Sequence, residues 1–416
     1  MQESSDSTGV KPGSLPILRR GSVAVAAAVF WLCCSSVALA KSPKSKPVEF
    51  PVNPLEITMP DPLLPGPVQA QPLNPLERRD LTAALDELNQ QAAVQLKAGN
   101  RVRAFEIWNR ELRLRRALGL LEEVEALGRV GALAWSENQR IEVQIITQRL
   151  QAIQLQTKSQ PSFDLKLLQA LGEAYQQVRS PQQAIEIYQQ VLEAQKQDPA
   201  ATETTLKTIG ELHLSWFDYP KAAATYEQLL NLARTKSDRV SEVTYLQQLA
   251  YIYNRANQPQ QAVTVKQQLA EFYLNEKDFT QLPALRLEIA SDYESLGKLE
   301  EAFRNYQEAY ASAWSLQQYY RAGDALRKLV TLYRSQGQIN EALKTSVILL
   351  QADQLASNDY GKMNTYDQIG QIYLKRGDYP EALAAFQNGL ELAQQLKYQE
   401  TYFAQQISQV NQRISK

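Results

Sequence analysis

Aromatic or imidazole residues recur at Tyr175, His213, Tyr253, Tyr293, Tyr333 and Tyr373, at intervals of 38, 40, 40, 40 and 40 residues. A period of this length confines the chain to a repeat architecture, in which each unit is one supersecondary element that buries its apolar face against the next. Nine residues after each of these positions stands an alanine: Ala184, Ala222, Ala262, Ala302, Ala342 and Ala382. Three residues before each stands a mostly small residue (Gly172, Gly210, Ala250, Ala290, Val330, Gly370), preceded by Leu or Ile (Leu171, Ile209, Leu249, Ile289, Leu329, Ile369). Small residues let two helix backbones approach to about 8–10 Å while larger neighbours fill the grooves beside them. Each unit therefore reads as an antiparallel pair, helix A bearing the Tyr and helix B bearing the Ala.

Turn chemistry agrees with this reading. Between each Tyr and Ala lies a residue suited to the left-handed conformation that ends a helix, such as Gly297, Gly337, Gly377 or Asn257. Helix B then opens with proline at Pro181, Pro220, Pro259 and Pro380, where a missing N–H costs nothing. No segment suggests a strand. Two degenerate units extend the series upstream: Ala104-Phe105-Glu106-Ile107-Trp108 supplies one helix B, and Val130-Gly131 with Val143 a second unit. Eight repeats are expected, starting near residues 85, 124, 165, 203, 243, 283, 323 and 363. Phe403, Ile407, Val410 and Ile414 lie at helical spacing on an otherwise polar segment, as expected of a capping helix over residues 401–416.

Leu171-Gly172-x2-Tyr175-x8-Ala184-x3-Tyr188 and Ile369-Gly370-x2-Tyr373-x8-Ala382-x3-Phe386 resemble the tetratricopeptide-repeat (TPR) consensus. The period exceeds the usual ~34 residues and is similar to that of the longer-period subclass. The resemblance covers about Leu81 to Lys416. It implies an all-α TPR-like α-solenoid, a right-handed superhelix of antiparallel helix pairs with a C-terminal capping helix. Lys266 and Ser346 stand where the aromatic of helix B belongs, so those two repeats are expected to pack less tightly there. In the family the first helices line a concave groove that binds peptides or helices of partner proteins. Here that groove is expected to present Gln169, Glu173, Lys207, Glu211, Gln247, Tyr251, Asn254, Ser291, Glu294, Arg327, Thr331, Arg334, Asp367 and Gln371. Asn254, Glu294, Arg327 and Arg334, with Lys207 and Tyr251, are the partner-binding candidates. The Lys/Asn clamp that some members use for a C-terminal carboxylate is not reproduced.

The N-terminus reads as a targeting segment. Lys11, Arg19 and Arg20 precede an uncharged run from Gly21 to Ala40 that closes on Ala38-Leu39-Ala40, the small-x-small pattern of a signal-peptidase site. Residues 1–40 are a signal peptide, or else a retained signal anchor, since about 20 apolar residues span a bilayer core. Either way the remainder is expected to be exported, in a bacterial periplasm or a thylakoid lumen. Its glutamine-rich repeats and proline-rich leader are similar to those of exported cyanobacterial TPR proteins. Ten prolines between Lys41 and Pro75 forbid continuous helix, so residues 41–80 are expected to be an extended linker reaching about 100 Å in polyproline II.

Lys plus Arg number 44 and Asp plus Glu 45, so no net field draws in nucleic acid. A membrane is a partner only if the N-terminal segment is retained. The two cysteines, Cys33 and Cys34, lie inside the apolar run, and His213 is the sole histidine, which leaves no Cys/His metal site and no His-dependent triad. Neither cofactor nor metal is expected, and no catalytic residues. His213 occupies a repeat's Tyr position and reads as a packed, hydrogen-bonded imidazole. Arg101, Arg103, Arg110, Arg113, Arg115 and Arg116 have Glu106, Glu111, Glu122, Glu123 and Glu125 close in sequence and read as a self-paired face. Glu294-Ser295 is similar to the Glu-Ser pair of lytic transglycosylases, but no segment outside the repeats is left to form a catalytic domain. The reading is an interaction scaffold or assembly factor. The alternatives are a membrane-tethered adaptor and a cell-wall lyase or hydrolase on a helical array.

Overall fold

The computed structural model describes residues 53–57, 60–64, 73–158 and 164–415. Apart from Asn53 these belong to one compact unit, Pro54–Lys416. The targeting segment 1–40 and most of the proline-rich leader lie outside the described residues. Among the described residues there are seventeen α-helices and no strand. They follow as pairs: α1 (Pro75–Lys97) with α2 (Arg101–Arg115), α3 (Leu120–Ser136) with α4 (Arg140–Lys158), α5 (Leu165–Gln177) with α6 (Pro181–Ala194), and α7 (Pro199–Ser215) with α8 (Tyr219–Thr235). Then come α9 (Arg239–Arg255) with α10 (Pro259–Asn275), α11 (Leu282–Ser295) with α12 (Leu299–Ser315), α13 (Tyr319–Ser335) with α14 (Ile339–Leu355), and α15 (Asp359–Arg376) with α16 (Tyr379–Leu396). The last helix, α17 (Glu400–Ile414), caps the series. The fold is an all-α solenoid, with odd-numbered helices in the A layer and even-numbered in the B layer.

One contact is repeated along the array. In the third, fourth and eighth pairs an aromatic ring of helix B packs directly against a glycine of helix A: Tyr188 on Gly172, Tyr226 on Gly210, Phe386 on Gly370. A methyl group added to those glycines would lie 2.8, 2.9 and 2.6 Å from the ring, closer than carbon atoms can approach. The cap docks by the same device, Phe403 over Gly389. In the sixth pair Ala290 replaces glycine and Tyr306 is fully buried. The helix-B alanines fill the other side of this seam: Ala184, Ala222, Ala262, Ala302, Ala342 and Ala382 are all 0 % exposed.

The expectation of looser packing at Lys266 and Ser346 is not met. Lys266 is 1 % exposed and Ser346 0 %. Ser346 turns its hydroxyl onto the Ala342 carbonyl at 2.8 Å, and its register partner Val330, also wholly buried, supplies on helix A the bulk that a ring supplies elsewhere. Lys266 satisfies its charge by ion pairs described below. In the cap, Phe403 and Val410 are wholly buried, but Ile414 is half exposed, because it stands at the final turn with no further helix to cover it.

Positive-φ residues end the helices where the sequence marks them, at Asn257 (54°), Gly297 (71°), Gly337 (72°) and Gly377 (83°). The same turn is made by Asn138, Arg179 and Phe217 in the earlier repeats, which no glycine announced. The first helix opens at Pro75, inside the segment read as linker, because Asn74 and Glu77 form a reciprocal capping box. Nor are residues 54–57 and 60–64 a free tether. Leu55 is 1 % exposed within the core of the first repeats, and Leu64 packs with the Leu81, Leu85 and Leu88 side of α1. Asp61 receives both Nε and Nη2 of Arg110 at 2.8 Å, and Arg113 donates to the Pro54 carbonyl at 2.6 Å. Proline excludes helix but does not prevent docking.

Replacing Gly370 by valine forces the Phe386 ring out of its seat. Urea unfolding should show a loss of about 1–3 kcal/mol, the usual cost of overpacking. A change within error would mean that the ring seat is not a stabilising contact.

Candidate partner-binding surface

Helices α9 and α11 lie side by side in the A layer with α10 behind them, and a groove of 360 Å³ runs between them. Gln247, Tyr251 and Asn254 form one wall, Glu288 the other, and Tyr273 of α10 the back. Tyr251 is 52 % exposed, large for a ring that nothing covers. Below the groove sits Lys266, whose ammonium reaches Asp292 at 2.8 Å, Glu288 at 3.1 Å and Asn254 Oδ1 at 3.2 Å. A buried ammonium is tolerable only when paired and hydrogen-bonded, and here the pairing orients two groove residues from beneath. Burial pushes the Asp292 carboxyl up, against the lowering effect of Lys266. Gln247 is set in turn by donating to the Tyr273 hydroxyl at 3.0 Å.

A rule relates the interior to this surface. In three pairs the tip of the buried helix-B residue bonds the helix-A residue twelve positions earlier: Gln176 donates to the Tyr188 hydroxyl at 2.6 Å, Lys266 to Asn254, and the Tyr306 hydroxyl to Glu294 at 2.9 Å. In the seventh pair the equivalent residues are Ser346 and Arg334, and serine is too short to reach. Arg334 forms no ion pair or side-chain hydrogen bond among the described residues. Glu294 has Lys328 of α13 at 3.8 Å. Asn254, Glu294 and Arg334 thus occupy one repeat position on α9, α11 and α13, the first two held from below and the third free.

Arg327 does not belong with them. Its Nη1 lies 2.9 and 3.1 Å from the two carboxylate oxygens of Asp353, a wholly buried residue of α14, and Nη2 holds Asp324 at 2.9 Å. Asn358, which caps α15, donates to the same Asp353 at 2.8 Å. Gly323 and Gly361 leave the space for this carboxylate. Arg327 is therefore a tie between α13, α14 and α15. Lys207 is likewise engaged, with Glu203 at 3.0 Å and the Tyr245 ring centroid at 5.7 Å. Lys236, with smaller contributions from Tyr245 and Lys207, pulls the Glu203 carboxyl down to about 2. At the far end, Asp367 accepts from the Tyr402 hydroxyl at 2.8 Å and Gln371 donates to Gln406 at 3.0 Å. The cap thus occupies two positions expected to face a partner.

The six arginines of the first repeat are all paired: Arg101 with Glu137, Arg103 with Glu106, Arg110 with Asp61, Arg113 with the Pro54 carbonyl, Arg115 with Asp86 and Glu111, and Arg116 with Glu123. Four of these seven partners, Glu137, Asp61, the Pro54 carbonyl and Asp86, were not among the neighbouring glutamates. His213 is 7 % exposed with its nearest partner, Asp218, at 3.8 Å, so it is packed without the expected hydrogen bond, and burial lowers its pKa. Glu294 and Ser295 point apart in function: Ser295 donates back to the Ser291 carbonyl at 3.0 Å.

Removing Arg327 leaves Asp353 buried and unpaired. Arg327→Ala should lower stability by about 3 kcal/mol in urea unfolding, and Arg327→Met with Asp353→Leu should recover most of it. An Arg327→Ala protein as stable as the parent would return Arg327 to the partner-binding set.

The family described as tetratricopeptide repeat matches residues 164–235 and 321–395, which are pairs three to four and seven to eight of the array. Comparison with curated protein sequences finds no match. Among solved structures, the chain is similar to BtubC (BKLC) from P. vanneervenii at 19 % identity, over 53 % of this chain and 91 % of that one, with a TM-score of 0.37. It is similar to aspartyl phosphate phosphatase F from Bacillus subtilis at 15 % identity, over 69 % and 78 %, with a TM-score of 0.39. A Rap protein complexed with competence and sporulation factor aligns at 13 % identity, over 80 % and 99 %, with a TM-score of 0.31. With pairs three to four and seven to eight of the array matched, this chain carries tetratricopeptide repeats.

Proposed function

We propose that this chain is an exported protein-interaction scaffold that binds an extended segment of a partner protein across the A helices α7 to α13. The observation that carries the reading is the groove between α9 and α11, where Tyr251 stands exposed beside Asn254 and Glu288 over a fixed ionic floor. Side chains held from beneath lose little freedom on binding, and that preorganisation converts polar contacts into affinity. An exposed tyrosine adds a large rigid contact with few torsions to freeze. Arg334 extends the same face with an unpaired cation, able to form a charge-assisted hydrogen bond to a partner carboxylate. No described helix is long and apolar enough to cross a membrane. Export rests on residues 1–40 alone.

Photo-cross-linkers placed at positions 251 and 334 of the full chain should capture one and the same protein in native extracts, and one at Val102, exposed on the B helix α2, should not. Capture from position 102 alone would move the binding surface to the B layer. For export, N-terminal sequencing of the native protein should begin at Lys41. An intact N-terminus in the membrane fraction would make the chain a tethered adaptor.

A further inference from the structure

Phe217 stands in the turn between α7 and α8 with φ of +60°. This is the left-handed region, which bulky side chains seldom occupy and glycine occupies freely. At the corresponding turns of later repeats the chain uses Asn257, Gly297, Gly337 and Gly377. Phe217 is 69 % exposed, and among the described residues its one aromatic neighbour is Tyr219, edge-on at 6.3 Å. Trp216 beside it is 53 % exposed. Neither backbone preference nor burial accounts for two adjacent aromatics at this point.

Trp216 forms one wall of a 190 Å³ notch whose other sides include Gln176, Arg179 and Glu211. That volume is below the roughly 300–1,000 Å³ of small-molecule sites, so it accepts one large side chain. Arg179, in the turn after α5, and Glu211, on α7, both line it, and neither makes an ion pair or a side-chain hydrogen bond among the described residues. An unpaired cation and an unpaired anion at one notch suit a peptide main chain, which offers a carbonyl to the guanidinium and an N–H to the carboxylate. A phosphate or a lipid headgroup would satisfy Arg179 and be repelled by Glu211. Glu211 and Ser215 continue along α7 the face that α9 presents in the next repeat.

We propose that this notch is an anchor site for one bulky apolar residue of an extended polypeptide, with the peptide groups on either side taken by Arg179 and Glu211 and the anchor lying against Trp216, beside which Phe217 is the next residue of the turn. The proposal rests on the reading of the chain as a peptide-binding scaffold. Aromatic anchors dominate such contacts, and the strain at Phe217 is the kind retained at binding sites.

The probe is a random peptide library displayed on phage and selected on the full chain. The best peptide is then synthesised and its affinity measured for the parent, Trp216→Ala, Phe217→Gly and Tyr251→Ala. Selected peptides should share a bulky apolar residue. Trp216→Ala and Phe217→Gly should each weaken binding about tenfold or more, the scale of a lost anchor, while Phe217→Gly melts no lower than the parent. Affinities within about twofold of the parent in both variants would overturn the proposal. So would a lower melting temperature for Phe217→Gly, which would make the ring structural, or a dimer in sedimentation that Trp216→Ala dissolves, which would make the occupant a second copy. Loss in Tyr251→Ala alone would leave the scaffold reading standing and remove this one, whereas a failure to select any peptide would remove both.

Discussion

A ring of helix B seated on a small residue of helix A is the contact on which the rest of this molecule depends. It sets how closely the two helices of a pair approach, and therefore which side chains are driven inward and which remain on the A face. Because the ring lies over a glycine in three pairs and in the cap, there is no slack for a larger residue at those points. The seat is also directional. A tyrosine there ends in a hydroxyl that emerges near the A surface, so core packing and groove chemistry are two ends of one side chain.

The pairs that depart from the ring show how far this coupling extends. Lys266 keeps the reach of an aromatic but replaces its hydroxyl with an ammonium, which gathers Asn254, Glu288 and Asp292 from two A helices. The fifth and sixth repeats are joined there by charge as well as by packing. Ser346 does the opposite: it gives up the reach, and Arg334 above it is left without a partner. A buried ion pair of this kind is weak evidence for stability, since the desolvation cost offsets much of the attraction. What it supplies is orientation of the groove, through Asn254 and Glu288.

Much of the fold was legible because helix-pair packing repeats, and repetition at 40 residues is visible without coordinates. The ring, the small residue, the alanine and the turn glycine each mark a local steric need. What escaped were contacts made between elements. Arg327 reads as a groove residue from its register, but its partner Asp353 lies twenty-six residues away on α14, in a space opened by glycines that announce no turn. Docking of Pro54 and Asp61 hangs on Arg113 and Arg110, whose sequence neighbours suggested a self-contained charged face. Phe217 was invisible for another reason: nothing in a phenylalanine signals positive φ, and only alignment with the later glycine turns exposes it. Of the groove candidates, Gln247, Tyr251 and Asn254 meet in one cleft; Glu288, which joins them there, was not foreseen, since its role comes from Lys266 beneath it.

In a solenoid each pair touches only its neighbours, so a defect at one ring seat should stay local. Hydrogen exchange on the full chain with Tyr306→Ala tests this most directly, because Tyr306 is wholly buried and ties α12 to Glu294 of α11. Protection should fall in α11, α12 and the adjoining α10 and α13, and remain at parental levels in α1 to α6 and in α16 and α17. Loss of protection spread evenly from residue 75 to residue 414 would show a single global core, and the account of a modular array built on ring seats would be wrong.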